Sequence, residues 1–179
     1  MCLPFEFAKK IGDYAYAHYG KDAYPGDSTV IYKEGIYTGY RWFDTKGIRP
    51  QFPFGYGLSY TKFRYGKAHL SATSLNADGN ITLTIPVSNI GKCEGKEIVQ
   101  LYIGEKSCHV DRPAKELKHF SKITLMPGET KEVTFTITPD DLKYYSEALH
   151  AWTVDDDSFK AYVGASSENI CSTVTFEYR

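Results

Sequence analysis

Ile81-Thr82-Leu83-Thr84-Ile85-Pro86-Val87-Ser88 decides the architecture of this chain. Apolar and polar positions alternate along it, with Pro86 on the polar row. A period of two sends one row of side chains inward and the other to water, as in a half-buried β-strand. The pattern returns downstream. Val133, Phe135 and Ile137 alternate with Glu132, Thr134, Thr136 and Thr138. Phe159, Ala161 and Val163 alternate with Lys160 and Tyr162, and Ile170, Ser172, Val174 and Phe176 with Cys171, Thr173 and Thr175. Ile98-Val99-Gln100-Leu101-Tyr102-Ile103 is more continuously apolar and predicts a strand covered on both faces. Pro86 has no N–H to donate, so its strand is expected at a sheet edge or bulged there.

Turn signals separate these runs: Ala77-Asp78-Gly79-Asn80, Asn89-Ile90-Gly91-Lys92, Met126-Pro127-Gly128-Glu129 and Asp155-Asp156-Asp157-Ser158. One helical turn is expected over 138–145, with Thr138 capping, Pro139 at the first helical position, and Asp140 and Asp141 near the positive helix end. Seven or so short strands between 61 and 179 predict an antiparallel β-sandwich of immunoglobulin type.

Residues 1–60 read differently. A short strand-like run covers 3–7, and a helix is expected over 8–19, where Ile11, Tyr14, Ala15 and His18 approach helical spacing. Pro25-Gly26, Gly35, Gly39, Gly47, Pro50, Pro53, Gly55 and Gly57 then break the chain into turns. Between them stand Tyr32, Tyr37, Tyr40, Trp42, Phe43, Phe52, Phe54, Tyr56 and Tyr60. Each such ring can bury about 150–250 Å². A loop-rich segment this aromatic needs a large surface to pack on, partly the sandwich and partly something outside this chain.

The 179 residues are 42% hydrophobic and 24% charged, which excludes a disordered, collagen-like or coiled-coil chain. Basic and acidic side chains nearly balance, at 21 and 22, so no basic surface is expected to bind nucleic acid. No run reaches the roughly 18–20 apolar residues of a membrane span. No apolar stretch follows a basic N-terminal segment, so no secretory leader is visible. Cys2, Cys93, Cys108 and Cys171 are scattered, with no metal-binding spacing. Free thiols in a reducing, cytoplasmic setting are favoured over disulfides in a periplasmic or secreted one.

A glycosidase needs two carboxylates flanking the scissile bond. Glu6, Asp13, Asp22, Asp27, Glu34 and Asp44 have no spacing that fixes a pair on one rigid face. Glu34, in Tyr32-Lys33-Glu34-Gly35-Ile36-Tyr37-Thr38-Gly39-Tyr40-Arg41, is the foremost candidate for ligand contact, weighed against an ion pair with Arg41 or Lys33. Asp155-Asp156-Asp157 lacks the spaced oxygens and distal glutamate of a calcium loop and reads as a solvated hairpin tip. His18, His69, His109, His119 and His150 form no metal spacing. Gly55-Tyr56-Gly57 has no strand–turn–helix context and reads as a turn, not a phosphate cradle. No cofactor is expected.

Several of these stretches carry a resemblance. Tyr32 through Asp44, Phe52-Pro53-Phe54-Gly55-Tyr56-Gly57-Leu58-Ser59-Tyr60-Thr61, Gly95-Lys96-Glu97-Ile98-Val99-Gln100-Leu101-Tyr102, Arg112-Pro113-Ala114-Lys115-Glu116-Leu117-Lys118-His119-Phe120, Pro127-Gly128-Glu129-Thr130 and His150-Ala151-Trp152 resemble the late part of family 3 glycoside hydrolases, the β-glucosidases, β-xylosidases and relatives. The resemblance implies that 1–60 is the C-terminal remnant of an α/β-sandwich domain plus a linker. It implies that 61–179 is a fibronectin type III-like β-sandwich domain. The family's nucleophilic aspartate lies in a (β/α)₈ barrel within a Ser-Asp-Trp-like motif that this sequence lacks, and its acid/base glutamate cannot be placed here. No catalytic residue carries over.

The resemblance thus implies a non-catalytic scaffold of a retaining β-glycosidase, whose partners are the parent's barrel and α/β-sandwich domains. Exposed aromatics of 1–60 would allow self-association. The alternative is a stand-alone carbohydrate-binding module that holds oligosaccharide, and behind it an adhesion-type sandwich. Inter-domain or substrate-proximal candidates are Glu34, Tyr40, Arg41, Trp42 and Arg112. Tyr40, Trp42 and Phe43 are expected to anchor the linking segment. Arg112 with Lys115, Glu116 and Lys118 is expected either to pair with a neighbouring domain or to form a solvated loop.

Overall fold

Alternation becomes two facing sheets in the computed structural model, which describes residues 6–18, 32–107 and 110–179. The elements are α1 (Ala15–His18), α2 (Tyr40–Lys46), β1 (Phe63–Tyr65), β2 (His69–Leu70), β3 (Ser74–Leu75), β4 (Ile81–Asn89), β5 (Gly95–Glu105), β6 (Glu116–Leu125), β7 (Thr130–Ile137), β8 (Tyr144–Ser146), β9 (Ala151–Thr153), β10 (Ser158–Gly164) and β11 (Ile170–Tyr178). One sheet centres on β4, with β7 along one side and β1 and β2 in succession along the other. The second runs β3-β11-β10-β5-β6, antiparallel except for the β3–β11 pair. β8 and β9 form a separate two-stranded hairpin.

The inward rows meet as expected. Leu83, Ile85 and Val87 of β4 face Val99 and Leu101 of β5 and Ala161 and Val163 of β10, and all are fully buried. Phe159 and Phe176 stack at 5.8 Å. Each such side chain contributes about 1.5–3 kcal/mol on leaving water. A one-residue slip would turn the row outward, so the core also sets the register. The chain is a mainly β protein, an immunoglobulin-type sandwich with a loop-rich segment before it.

Three local expectations are corrected. Pro86 lies neither on an edge strand nor at a bulge: β4 is central, and its register with β7 runs unbroken from Ile81↔Ile137 to Ser88↔Thr130. The Pro86 carbonyl accepts from Gly66 N (2.9 Å) on the side where β1 has ended and β2 has not begun. The missing N–H therefore faces a gap in the ladder. Gly66 fits because a Cβ there would stand 2.6 Å from the proline ring.

The expected helix over 8–19 is broken into a 3₁₀ turn, Ile11–Asp13, and α1. Tyr14 between them is extended, held by its ring against Phe43 (5.8 Å) and by its hydroxyl accepting from Ala8 N (3.2 Å). Tertiary anchoring of one tyrosine overrides a weak periodicity. The turn expected over 138–145 is shorter, a 3₁₀ helix at Pro139–Asp141, because Tyr144 already pairs with Thr153. Its start is as expected, with Thr138 N donating to Asp141 Oδ2 at 2.8 Å. Of the strand-like run 3–7, Phe7 bridges Phe52, and residues 3–5 lie outside the described residues. So do Pro25-Gly26, Cys2, Cys108 and His109.

Candidate functional site

The outer face of β5 explains its continuous apolar run. Leu101 faces the core, while its neighbours Gln100 and Tyr102 face the other way and are equally buried. What covers them is the N-terminal segment. Tyr40 of α2 sets its ring edge-on to Tyr102 (5.7 Å) and against Phe54 (5.2 Å). Ser167 N donates to Phe54 O (2.9 Å), which seats the following turn on the sheet. Gln100 Nε2 donates to Ala165 O (3.2 Å), and Tyr102 Oη donates to Gln100 Oε1. Gly55 crosses directly above. Its φ is +84°, and a Cβ would lie 2.4 Å from Gln100 Nε2, so only glycine fits this crossing.

α2 presents two sides. Toward the sandwich, Tyr40 Oη accepts from Leu117 N (2.8 Å) and Thr45 Oγ1 from Ala114 N (3.0 Å). Away from it, Trp42 and Phe43 are buried with Ala15, and Tyr14, Tyr37 and Ile48 close around them. Trp42 Nε1 donates to Asp13 O at 3.1 Å.

Charges lock the same seam. Arg112 Nη1 contacts Glu105 Oε2 and its Nη2 contacts Glu116 Oε2, each at 3.0 Å. The Glu105 side chain is 3% exposed. Arg112 also donates to Leu142 O (3.1 Å) and stands over the Tyr144 ring (5.6 Å). Glu116 takes Lys118 (3.0 Å) and, across the seam, Arg41 of α2 (3.4 Å). Lys115 reaches Asp44 of α2 at 2.7 Å. Tyr37 Oη donates to Asp111 Oδ1.

A register shift places Glu116 here. Between Leu101↔His119 and Tyr102↔Leu117 the pairing of β5 with β6 slips by one residue, so Glu116 stands opposite Ile103, on the same face as Glu105. Burial alone would raise the Glu116 carboxyl, but Lys118 and Arg112 outweigh it and hold it below the ordinary range. Asp44 goes the other way. Burial raises it, and Lys115 offsets only part.

The structure thus brings Tyr40, Arg41 and Arg112 together around Glu116 and puts Trp42 on the far side of α2. Glu34 sits apart, in a turn whose carbonyl accepts from Tyr37 N (2.8 Å), and Arg41 pairs with Glu116 rather than with Glu34. The solvated-loop alternative for Arg112 does not hold, since its side chain is 12% exposed. Sequence reasoning missed Gln100, Tyr102, Glu105 and the Lys115–Asp44 pair; the doubly covered β5 run was the one available signal. Among the described residues no group of three His, Cys, Asp or Glu could hold a metal. An open groove of ≈ 620 Å³ runs between the 53–59 turn and the β5–β6 face, lined by Arg49, Tyr56, Lys96 and Lys122 among others.

The family model of the fibronectin type III-like domain matches residues 97–167. A β-glucosidase of Bacteroides ovatus is 51% identical over 177 residues, which is 98% of this chain and 24% of that protein. The chain belongs to the family 3 glycoside hydrolases, as their C-terminal part. A thermostable β-glucosidase of Acetivibrio thermocellus is 47% identical over 148 residues, 82% of this chain and 20% of that one. Among solved structures, β-glucosidase 3B from Thermotoga neapolitana in complex with glucose superposes with a TM-score of 0.85 at 36% identity, over 98% of this chain and 24% of its own. A Bifidobacterium adolescentis family 3 β-glucosidase gives 0.88 at 30% identity, over 97% and 25%. The chain therefore spans about a quarter of the length of these relatives.

Proposed function

We propose that this chain is the non-catalytic bracing portion of a β-glycosidase. Residues 1–60 end the α/β-sandwich domain and link it to a fibronectin type III-like domain at 61–179. The parent's activity is hydrolysis of terminal β-D-glucosyl or similar residues with retention. The observation that carries this reading is the seam. α2 and the 53–56 turn are held on the outer face of β5 by Tyr40, Gly55, Lys115–Asp44 and the Arg41–Glu116–Arg112 chain. A segment so held passes a fixed orientation from one domain to the next. The carboxylates of the seam are committed to cations and are not disposed around an open substrate space.

The test uses aryl β-glucoside and β-xyloside. The chain alone should give no turnover even at high concentration. Replacing the matching quarter of the Bacteroides ovatus enzyme with this chain should give an active hydrolase. Turnover by the chain alone would overturn the reading and send the search back to Glu6, Glu34 and Asp44. The 620 Å³ groove is where the second reading, an oligosaccharide-binding module, would act, and sugar titration of the isolated chain tests it.

A further inference from the structure

The β8–β9 hairpin is poorly explained by the chain around it. It pairs with neither sheet, and an isolated two-stranded hairpin is marginal in water. Yet it carries Tyr145, Leu149 and Trp152, which are 50%, 66% and 66% exposed. Glu147 is the only acidic or basic side chain over 144–153 apart from His150. Low charge with two exposed aromatics is the composition of an interface core rather than of a solvated loop.

We infer that the apolar side of this hairpin is a docking surface for the catalytic portion of the same longer β-glycosidase, a reading that rests on the proposed function. Two observations choose that occupant. About three-quarters of each relative's length lies outside the part this chain matches, so a large body of the same protein is there to be packed against. The hairpin is also continuous with the seam. Arg112, which binds Glu116 and through it Arg41 of α2, donates to Leu142 O just before β8 and covers the Tyr144 ring. A body joined to the N-terminal segment would meet this hairpin next.

A sugar platform fits less well. The Tyr145 and Trp152 rings lie 5.8 Å apart at 74°, edge to face. Two rings so crossed cannot both lie flat on one pyranose. They form a wedge, and a wedge fits an apolar pocket.

The experiment places the chain in the full-length Bacteroides ovatus enzyme in place of its own matching quarter and follows amide hydrogen exchange. Amides over 144–153 should exchange at least about tenfold slower in the chimera than in the isolated chain. The double substitution Tyr145→Ser/Trp152→Ser should lower the melting temperature of the chimera by clearly more than that of the isolated chain, because half or more of each ring is already in water there. Equal exchange rates in an active chimera would overturn this inference and leave the proposed function standing. An inactive chimera in which α2 is also unprotected would overturn both. Protection of the hairpin in the isolated chain by cellobiose, or by raising its own concentration, without protection in the chimera, would assign the wedge to sugar or to a second copy and overturn the inference equally.

Discussion

Leu101 of the sandwich and Trp42 of the aromatic segment are both buried, but by different means. Leu101 lies in a core that β4, β5, β7, β10 and β11 close around on their own. Trp42 lies in a small cluster with Ala15 and Phe43, bounded by half-covered residues and leaning on one side of a seven-residue helix. Tyr32 and Ile11 nearby remain 83% and 73% exposed. One region makes its own interior. The other is held in place chiefly by the face it docks on.

The comparison breaks most directly through its two emblematic residues. Leu101→Ala should cost about 3–5 kcal/mol of unfolding free energy, the usual range for a core leucine with little room to collapse. Trp42→Ala removes a larger side chain, yet should shift the sandwich transition by less than about 1 kcal/mol, because the cluster adds little to the cooperative core. Its effect should appear as lost amide protection over α2. Denaturant unfolding with hydrogen exchange checks both. Equal losses for the two variants would mean that segment and sandwich unfold as one unit.

The seam itself is the next target. Arg112→Ala strands Glu105, whose side chain is almost wholly buried, beside Glu116. Breaking such a pair on one side should cost about 3 kcal/mol. Arg112→Lys should restore little of it, because an ammonium cannot span both carboxylates and the Leu142 carbonyl as the guanidinium does. Urea midpoints decide this. A loss under about 1 kcal/mol would show that the cluster is solvated like an ordinary surface network.

Gly55→Ala tests the crossing above Gln100. The left-handed φ and the 2.4 Å approach act together, so about 1–2 kcal/mol should be lost, with the sandwich core intact. The aromatic signals of Tyr40 and Tyr102 should change while those of Phe159 and Phe176 do not. If all four change together, the outer-face docking is part of the core.

How much of this was legible depended on whether a side chain answers to a local period. Ile81, Leu83, Ile85 and Val87 point where alternation requires, because a sheet with one wet face leaves no other choice. Pro86 misled because a proline's missing donor argues for an edge only if a neighbouring strand stands opposite it, and the β1–β2 gap is a tertiary fact. Tyr14 broke a helical pattern for the same reason. In the seam, Tyr40, Arg41, Asp44 and Arg112 stood out by their motifs, whereas Glu105 and the pairing of Asp44 with Lys115 did not. A charged residue at a strand end or on a short helix looks solvated until the fold sets a partner against it, Arg112 against Glu105 and Lys115 against Asp44. The β6 register shift that turns Glu116 toward Arg112 leaves no trace in periodicity.

The smallest effect sharpens the comparison by sign. Glu116 belongs to the sandwich and is held low by Lys118 and Arg112 against burial, whereas Asp44 belongs to the docked segment and burial raises it. A lowered carboxyl contributes stability that is present above its unfolded value, about 4.3, and is lost as pH falls through the lower folded value. A raised carboxyl works in reverse: the folded state holds its proton longer, so stability falls as pH rises from about 3.9 through the folded value. Glu116→Gln should therefore flatten the acid limb of the stability–pH curve below the ordinary carboxylate range. Asp44→Asn should flatten the segment just above it, and mainly for the amides of α2. Urea midpoints and α2 exchange rates across that range separate the two. An Asp44→Asn curve that loses the same acid limb as Glu116→Gln would show that Lys115 outweighs burial, making the docked helix an ion-paired element in the same sense as the strand it rests on.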